Sequence, residues 1–321
     1  MRSLTRGFRL GRKVQRIGPA MIADYNNSLN VFVQNFDCHN HSTYSDGLLR
    51  PKDLVDLAKK SGCDAVALTD HDNTGGLAEA AAAALEAGIR FIRGVELSVS
   101  WPGQPRASET ADISPITIHV VGLGIDPDNS ALMAGIASIR HGRLDRARQM
   151  GLSLSKMGIN GIFEEALALA ENKDMISRTH FARALVARGL AKNVGAVFGK
   201  YLTPGKPGFM AHQWANLRDA TNWITRSGGV AVLAHPGRYK LSRQEMRALL
   251  TEFKDGGGAA IEVITGSHEK HQYAEYAAYA REFGFMASRG SDFHGPDESR
   301  WQPGSLPPLP ADLTPVWSVL Q

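Results

Sequence analysis

Cysteine is nearly absent from this chain, with Cys38 and Cys63 the only two among 321 residues. Two thiols make no disulfide framework, which argues against a small stapled secreted scaffold and suits a reducing compartment. No apolar run reaches the ~20 residues that a membrane-spanning helix needs, so no membrane association is expected. The N-terminus is basic but lacks the apolar core and cleavage site of a secretory leader, so a cytoplasmic location is expected. The pattern G-x-x-x-x-G-K-[ST] does not occur, and Gly256–Gly258 lacks the strand, loop and helix context of a dinucleotide fingerprint. Nucleotide-driven phosphotransfer is therefore disfavoured. No serine, cysteine or aspartate nucleophile motif stands out, and there is no internal repeat.

Acid is missing from one place. Arg2, Arg6, Arg9, Arg12, Lys13 and Arg16 fall within the first 20 residues without a single Asp or Glu. They account for the net charge of +4, because 36 basic residues in all then leave 30 against 32 acidic ones in the rest. A near-neutral body argues against a general nucleic-acid surface, and no stable DNA complex is expected. Any affinity for polyanions must come from local sites. Hydrophobic content of 43% and charged content of 21% are ordinary for a globular protein long enough for one barrel.

Short apolar runs alternate with helical patterns. Ala65–Thr69, Arg90–Ile92, Ser114–Gly122, Val230–Ala234 and Ala259–Thr265 read as strands. Pro51–Ser61, Leu77–Ala87, Arg243–Asp255 and Tyr273–Phe283 read as helices. This alternation predicts an α/β fold with parallel strands and helical crossovers. Between Asp126 and Asn216 the pattern is almost wholly helical, with helices expected over Arg140–Met157, Ile162–Ala170 and Thr179–Arg188. The expected organisation is an N-terminal extension (1–35), a barrel in two pieces (36–125 and 217–300), a helical insertion (126–216) and a proline-rich tail (301–321) wrapping the surface.

Histidines stand at the ends of the apolar runs. The segments are Asp37-Cys38-His39-Asn40-His41, Thr69-Asp70-His71, Ile118-His119-Val120, Ala234-His235-Pro236 and Ser291-Asp292-Phe293-His294, with Glu96 after Gly94-Val95. Imidazole and carboxylate are ligands of first-row divalent metals. Extended backbone puts alternate residues on one face, so His39 with His41, and Asp292 with His294, can each grip one cation. Asp46 lies on the loop Ser45-Asp46-Gly47, close enough to fold back. In parallel α/β barrels functional groups gather at the carboxyl ends of strands, where His71, Glu96, His119 and His235 are expected.

These motifs, in this order, resemble the polymerase-and-histidinol-phosphatase (PHP) family of phosphoesterases over about residues 36–300. The resemblance implies a distorted (β/α)7 barrel with a helical insertion domain and three divalent ions, Mn²⁺ favoured, Zn²⁺ or Fe²⁺ as alternatives. One ion would take His39, His41, Glu96 and Asp292; a second Glu96, His119 and His235; a third Asp46, His71 and His294, which are also the candidate catalytic residues. Either His71 or His294, or a water, would supply the leaving-group proton. The subgroup resembled most is the nucleoside 3′,5′-bisphosphate phosphatases, also described as 5′→3′ exoribonucleases, through the helical insertion, Ile176-Ser177-Arg178-Thr179-His180 and Ser291-Asp292-Phe293-His294-Gly295. It implies a small nucleotide or short RNA as substrate. One departure is an extra Pro102–Ser114 loop before His119.

Outside the ligand set, Arg143 and Arg146 lie three apart on a predicted helix and are candidates for cradling a second phosphate, since guanidinium forks suit phosphate oxygens. Arg178 and His180, at a helix start, are candidate substrate contacts too. Asp70 reads equally as a group that orients a ligand or as a helix cap. His212 and Trp214 read as core in preference to a base-stacking pair, and His268 and His271 as surface residues. Two alternatives stay open: a phosphatase for histidinol phosphate or another small monoester, and a non-catalytic metal-binding regulatory module. Neither metal identity nor oligomeric state is readable.

Overall fold

The computed structural model describes residues 34–103 and 115–320. The expected N-terminal extension and most of the Pro102–Ser114 loop lie outside the described residues. Seven strands form one sheet in sequence order: β1 (Phe36–Asp37), β2 (Ala65–Leu68), β3 (Arg90–Trp101), β4 (Ile116–Leu123), β5 (Val230–Leu233), β6 (Ala260–Thr265) and β7 (Met286–Gly290). The sheet curls back on itself, because Cys38 N–H donates to Arg289 O and Asp292 N–H to His39 O, each at 2.9 Å. The expected α/β barrel is the fold.

One expectation fails. The strands are not all parallel: β4 runs antiparallel to both β3 and β5. The reversal has a consequence for His119. It sits in the first half of β4 and not at a carboxyl end, and reversing the strand brings that half to the rim where the other strands end.

Period-2 alternation divides the strand residues between two cores. Val66 and Leu68, Ile118 and Val120, and Leu233 pack outward with the helices. Ala65, Ala67, Ile92, Val121, Leu123, Val232, Ala234 and Ala260 form the inner cluster. The same parity sends Glu96, His119 and Glu262 inward, so the barrel interior is apolar at one end and polar at the other. The tail does more than wrap the surface. Val316 is fully buried in the inner cluster, and Trp317 stacks on Phe36 at 4.8 Å, so the tail seals the apolar end.

The outer helices are α1 (Pro51–Lys60), α2 (Leu77–Ala87), α8 (Leu217–Arg226), α9 (Arg243–Asp255) and α10 (Lys270–Phe283), numbered to leave room for the insertion. Pro51 occupies the first turn of α1, where its missing N–H is not needed. Between β4 and β5 lie α3 (Ser130–Arg140), α4 (Arg143–Ser155), α5 (Ile162–Leu169), α6 (Arg178–Ala187) and the short α7 (Val194–Val197), which runs into a π-helical turn at Phe198–Leu202. The expected single helix over Arg140–Met157 is broken at His141-Gly142, where Gly142 takes φ 80°. The break also separates two cores. Leu132, Ile136 and Ile139 of α3 join the barrel core, whereas residues from Ala147 to Leu202 form a core of their own.

Gly290 makes the β1–β7 seam possible. A β-carbon there would lie 2.4 Å from His39 Cβ and 2.7 Å from His39 N, atoms that cannot swing away. Gly290→Ala is expected to lower the unfolding free energy by about 1–3 kcal/mol, read by urea denaturation; a neutral result would show that the seam is not the tight contact described.

Candidate metal centre

The polar end of the barrel gathers all nine predicted donors. His39 and His41 lie on one face, as alternation requires, with their Nε2 atoms 3.1 Å apart. Each lies 3.3 Å from Glu96 Oε2, and they are 3.5 and 3.3 Å from Asp292 Oδ1. Glu96 Oε1 lies 3.0 Å from both His119 Nδ1 and His235 Nε2, which are 3.3 Å from each other. Asp46 Oδ1 lies 3.5 Å from His294 Nε2 and 3.9 Å from His71 Nε2. His71 also faces the second group, with Nδ1 2.9 Å from Glu96 Oε2. Donors arranged around an ion with ~2.1 Å bonds stand roughly 3.0–3.4 Å apart, so these spacings suit coordination.

The donor atoms also lack other partners. Asp46 Oδ1, His71 Nδ1 and Glu96 Oε2 are buried without a hydrogen bond. His71 Nδ1 and Glu96 Oε2 are close but not aligned as donor and acceptor. Buried orphan atoms of this kind are destabilising unless something satisfies them. A cation at their point of convergence would do so, and the donor set fits a metal site.

Electrostatics agrees. Burial disfavours charge on Glu96, but His71, His119 and His39 outweigh it and hold the carboxyl well below its usual range. Asp46, beside His71 and His294, and Asp292, beside His39 and His41, are likewise held low against burial. Without a cation, protons supply the compensating charge. Despite burial, His39 is raised well above its ordinary value by Glu96 and Glu262, and His41 to about 10 by Asp292 and Glu96. Metal binding must displace those protons. His235 is pushed down to about 3 by burial and by Arg238, and is neutral as a ligand requires.

The donors open into a cavity of about 560 Å³. Asp46, His71, His119, Asp292 and His294 line it, whereas His39, His41, Glu96 and His235 lie behind. Arg143, Arg146 and Arg178 also line the cavity, with Arg300 and with Arg238, whose guanidinium lies 3.3 Å from Asp292 Oδ2. Burial and neighbouring arginines push Arg146 down to about 9 and Arg178 to about 10, so both remain cationic at neutral pH. Among the described residues, the only acid on the lining outside the donor set is Glu298, which is paired with Arg183 at 2.7 Å.

The PHP domain model matches residues 37–266. The chain is 50% identical to the 3′,5′-nucleoside bisphosphate phosphatase of Chromobacterium violaceum, over 89% of this chain and 96% of that one. It is 38% identical to a 5′-3′ exoribonuclease of Haemophilus influenzae, over 88% of this chain and 98% of that one. The chain belongs to the PHP domain family. A solved structure described as an amidohydrolase from C. violaceum, with bound sulfate and no metal, superposes with a TM-score of 0.81 at 50% identity, covering 88% of this chain and 95% of that one. A putative metal-dependent phosphoesterase from Bifidobacterium adolescentis superposes at 0.70 with 26% identity, covering 88% and 93%.

Several residues around this PHP centre escaped sequence reasoning. Glu262 is fully buried, accepts from His39 Nδ1–H at 2.8 Å and from His235 N–H at 2.6 Å, and so holds two ligands at once. Its signal was present, because a lone acid at an inward position of the apolar Ala260–Thr265 must have partners. Asp292 and His235 take φ of 53° and 28°, conformations that persist only when neighbours enforce them. Ser267 Oγ and Arg238 hold Asp292 Oδ2, and Gly237 N–H donates to His268 Nε2 at 2.9 Å. His268, expected at the surface, is therefore a buried brace under the loop after His235. Asp70, which the sequence offered as an orienting group or a helix cap, accepts from Ser42 N–H, Ser42 Oγ and Ser45 Oγ, and so fixes the loop that carries Asp46. Asp72 accepts from Arg143 and Ser98, which sets the arginine in the wall.

His180 needs correction. It is not on the cavity lining. Its Nδ1 accepts from Ser177 N–H at 3.0 Å, closing a capping box at the start of α6, while Ser177 Oγ donates to Asp46 Oδ2 at 3.1 Å. Burial pushes His180 down to about 4, so it caps as a neutral ring.

Two outcomes follow. Glu262→Gln is expected to weaken metal affinity by about 10–100-fold, measured by chelator competition; unchanged affinity would remove Glu262 from the support of the site. For His180 the folded value lies below the ordinary ~6.5, so its stabilising contribution is complete above pH 6.5 and is lost as pH falls toward 4. The loss is roughly 3 kcal/mol across that window. His180→Gln keeps a capping box without titrating, so its stability should fall less steeply between pH 6.5 and 4 in denaturant titrations at several pH values.

Proposed function

We propose that this PHP protein is a metal-dependent phosphoesterase that removes the 3′-phosphate of nucleoside 3′,5′-bisphosphates and also trims short RNA from its 5′ end. The observation that carries the reading is the presence of two anion sites in one cavity: the metal donors, and the wall of Arg143, Arg146 and Arg178. A monoester with a cationic tail, such as histidinol phosphate, has no use for the second. The names of the relatives described above point the same way.

We assign three divalent ions, Mn²⁺ favoured, to the groups His39/His41/Glu96/Asp292, Glu96/His119/His235 and Asp46/His71/His294. When bound, such ions lower the pKa of water from about 15.7 toward 7 and neutralise charge on phosphate oxygens. The chain's own part is placement. Arg143, Arg146 and Arg178 grip one phosphate, which carries the other ester to the metal donors. The third donor group lies on the open side and is the one that meets the scissile phosphate. His294 Nδ1–H is committed to Asp292 O at 2.9 Å, which turns its Nε2 lone pair toward Asp46. A ring so placed ligates and is a poor acid, and the same holds for His71 in this group, so the leaving oxygen takes its proton from water in the cavity.

Protein loaded with Mn²⁺ should release phosphate from 3′-phosphoadenosine 5′-phosphate. Arg178→Ala should raise KM for it by about 10–100-fold, the loss of a charge-assisted contact of ~1.5–3 kcal/mol, with a smaller effect on a simple aryl phosphate. Faster turnover of histidinol phosphate on the same preparation, or no turnover with Mn²⁺, Zn²⁺ or Fe²⁺, would sink the reading.

A further inference from the structure

The cavity has an apolar arm that the phosphate sites do not use. It is built from the insertion: Val194 and Gly195 of α7, Phe198 at the head of the π-helical turn, and Thr203 just after it. The turn is defined by the bond from Thr203 N–H to Phe198 O at 3.1 Å, five residues apart. Single π-helical turns recur at functional sites. Val197, Tyr201 and Leu202 anchor this one in the insertion core, while Phe198 is half-buried and lines the cavity. Besides the histidine donors, the lining has two aromatic rings among the described residues, Phe198 and Trp214. Trp214 is already covered. Arg143 and Arg146 lie over its ring at 4.7 and 5.3 Å, His212 meets it at 4.3 Å, and only 9% of the residue is exposed. Phe198 packs against the insertion core but is only half-buried, and one guanidinium, that of Arg178, lies over its ring, 5.7 Å from the centroid. A flat apolar ring thus stands beside a cation of the phosphate wall.

We infer that Phe198 is the stacking platform for the nucleobase of the substrate. The inference rests on the proposed nucleotide activity and names the part of the substrate that the arm receives. Arg178 would hold phosphate while the base lies on the neighbouring ring, so one short segment reads both ends of a nucleotide. Among the described residues, the arm offers the Thr203 hydroxyl, with that of Thr179 also on the lining, and no amide or carboxylate side chain. Every base has a π-face, so recognition by stacking tolerates all of them. Adenine and uracil substrates should therefore differ by less than about tenfold in kcat/KM.

The test compares adenosine 3′,5′-bisphosphate with abasic 1-deoxyribose 3,5-bisphosphate on Mn²⁺-loaded enzyme. In the unaltered protein the base should raise kcat/KM by about tenfold or more. Phe198→Leu fills similar space without a π-face, and should bring that ratio close to one through KM. Phe198→Trp should restore it. A ratio that Phe198→Leu leaves intact, or that Phe198→Trp fails to rescue, overturns the platform while leaving the phosphatase reading in place. If the unaltered protein hydrolyses neither bisphosphate, the phosphatase reading itself falls, and the platform falls with it.

Discussion

Glu96 organises this protein. It is fully buried, and its two oxygens lie within 3.3 Å of ring nitrogens from His39, His41, His71, His119 and His235. A lone buried carboxylate is strongly destabilising, and a cluster of charged imidazoles would be no better. Protonated His39 and His41 compensate the charge of Glu96 here, and a bound cation would take the place of those protons. The barrel is shaped accordingly. β4 runs backwards to deliver His119, β7 is stripped to Gly290 at its contact with His39, and strained backbone at His235 and Asp292 is held by Glu262, Ser267 and Arg238.

The insertion supplies what the barrel lacks. A metal cluster alone is a site for phosphate in general. Arg143, Arg146 and Arg178 come from helices with a core of their own, and in the proposed reading they fit the cavity to a molecule with two anionic ends. Two contacts tie the insertion to the metal donors: Ser177 Oγ to Asp46 Oδ2, and Arg183 to Asp46 O and Glu298. The start of α6, next to Arg178, and the loop that carries Asp46 are thus tied together.

Much of the site was legible because it obeys local rules. His39 and His41 share a face through alternation, and Arg243–Asp255 and Leu77–Ala87 are helices with the bounds their patterns suggested. The failures also have physical causes. The apolar run of β4 reads the same in either direction, so periodicity could not show that it is antiparallel. His180 at a helix start suited an anion contact and a cap equally, and the third turn position of α6 made it a cap. His268 looked like a surface residue because its partners, Gly237 and Tyr276, come from a different loop and from the helix that follows it.

The amino-acid sequence by itself determined the donors, the strands and helices that carry them, and the family to which they belong. Each of these depends on residue type and on neighbours a few positions away. Tertiary structure alone decided which donors share an oxygen of Glu96, which arginines face the cavity, and that Glu262 grips His39 from 223 residues away. Those outcomes are set by contacts between distant segments, where burial and charge are balanced only once the barrel has closed.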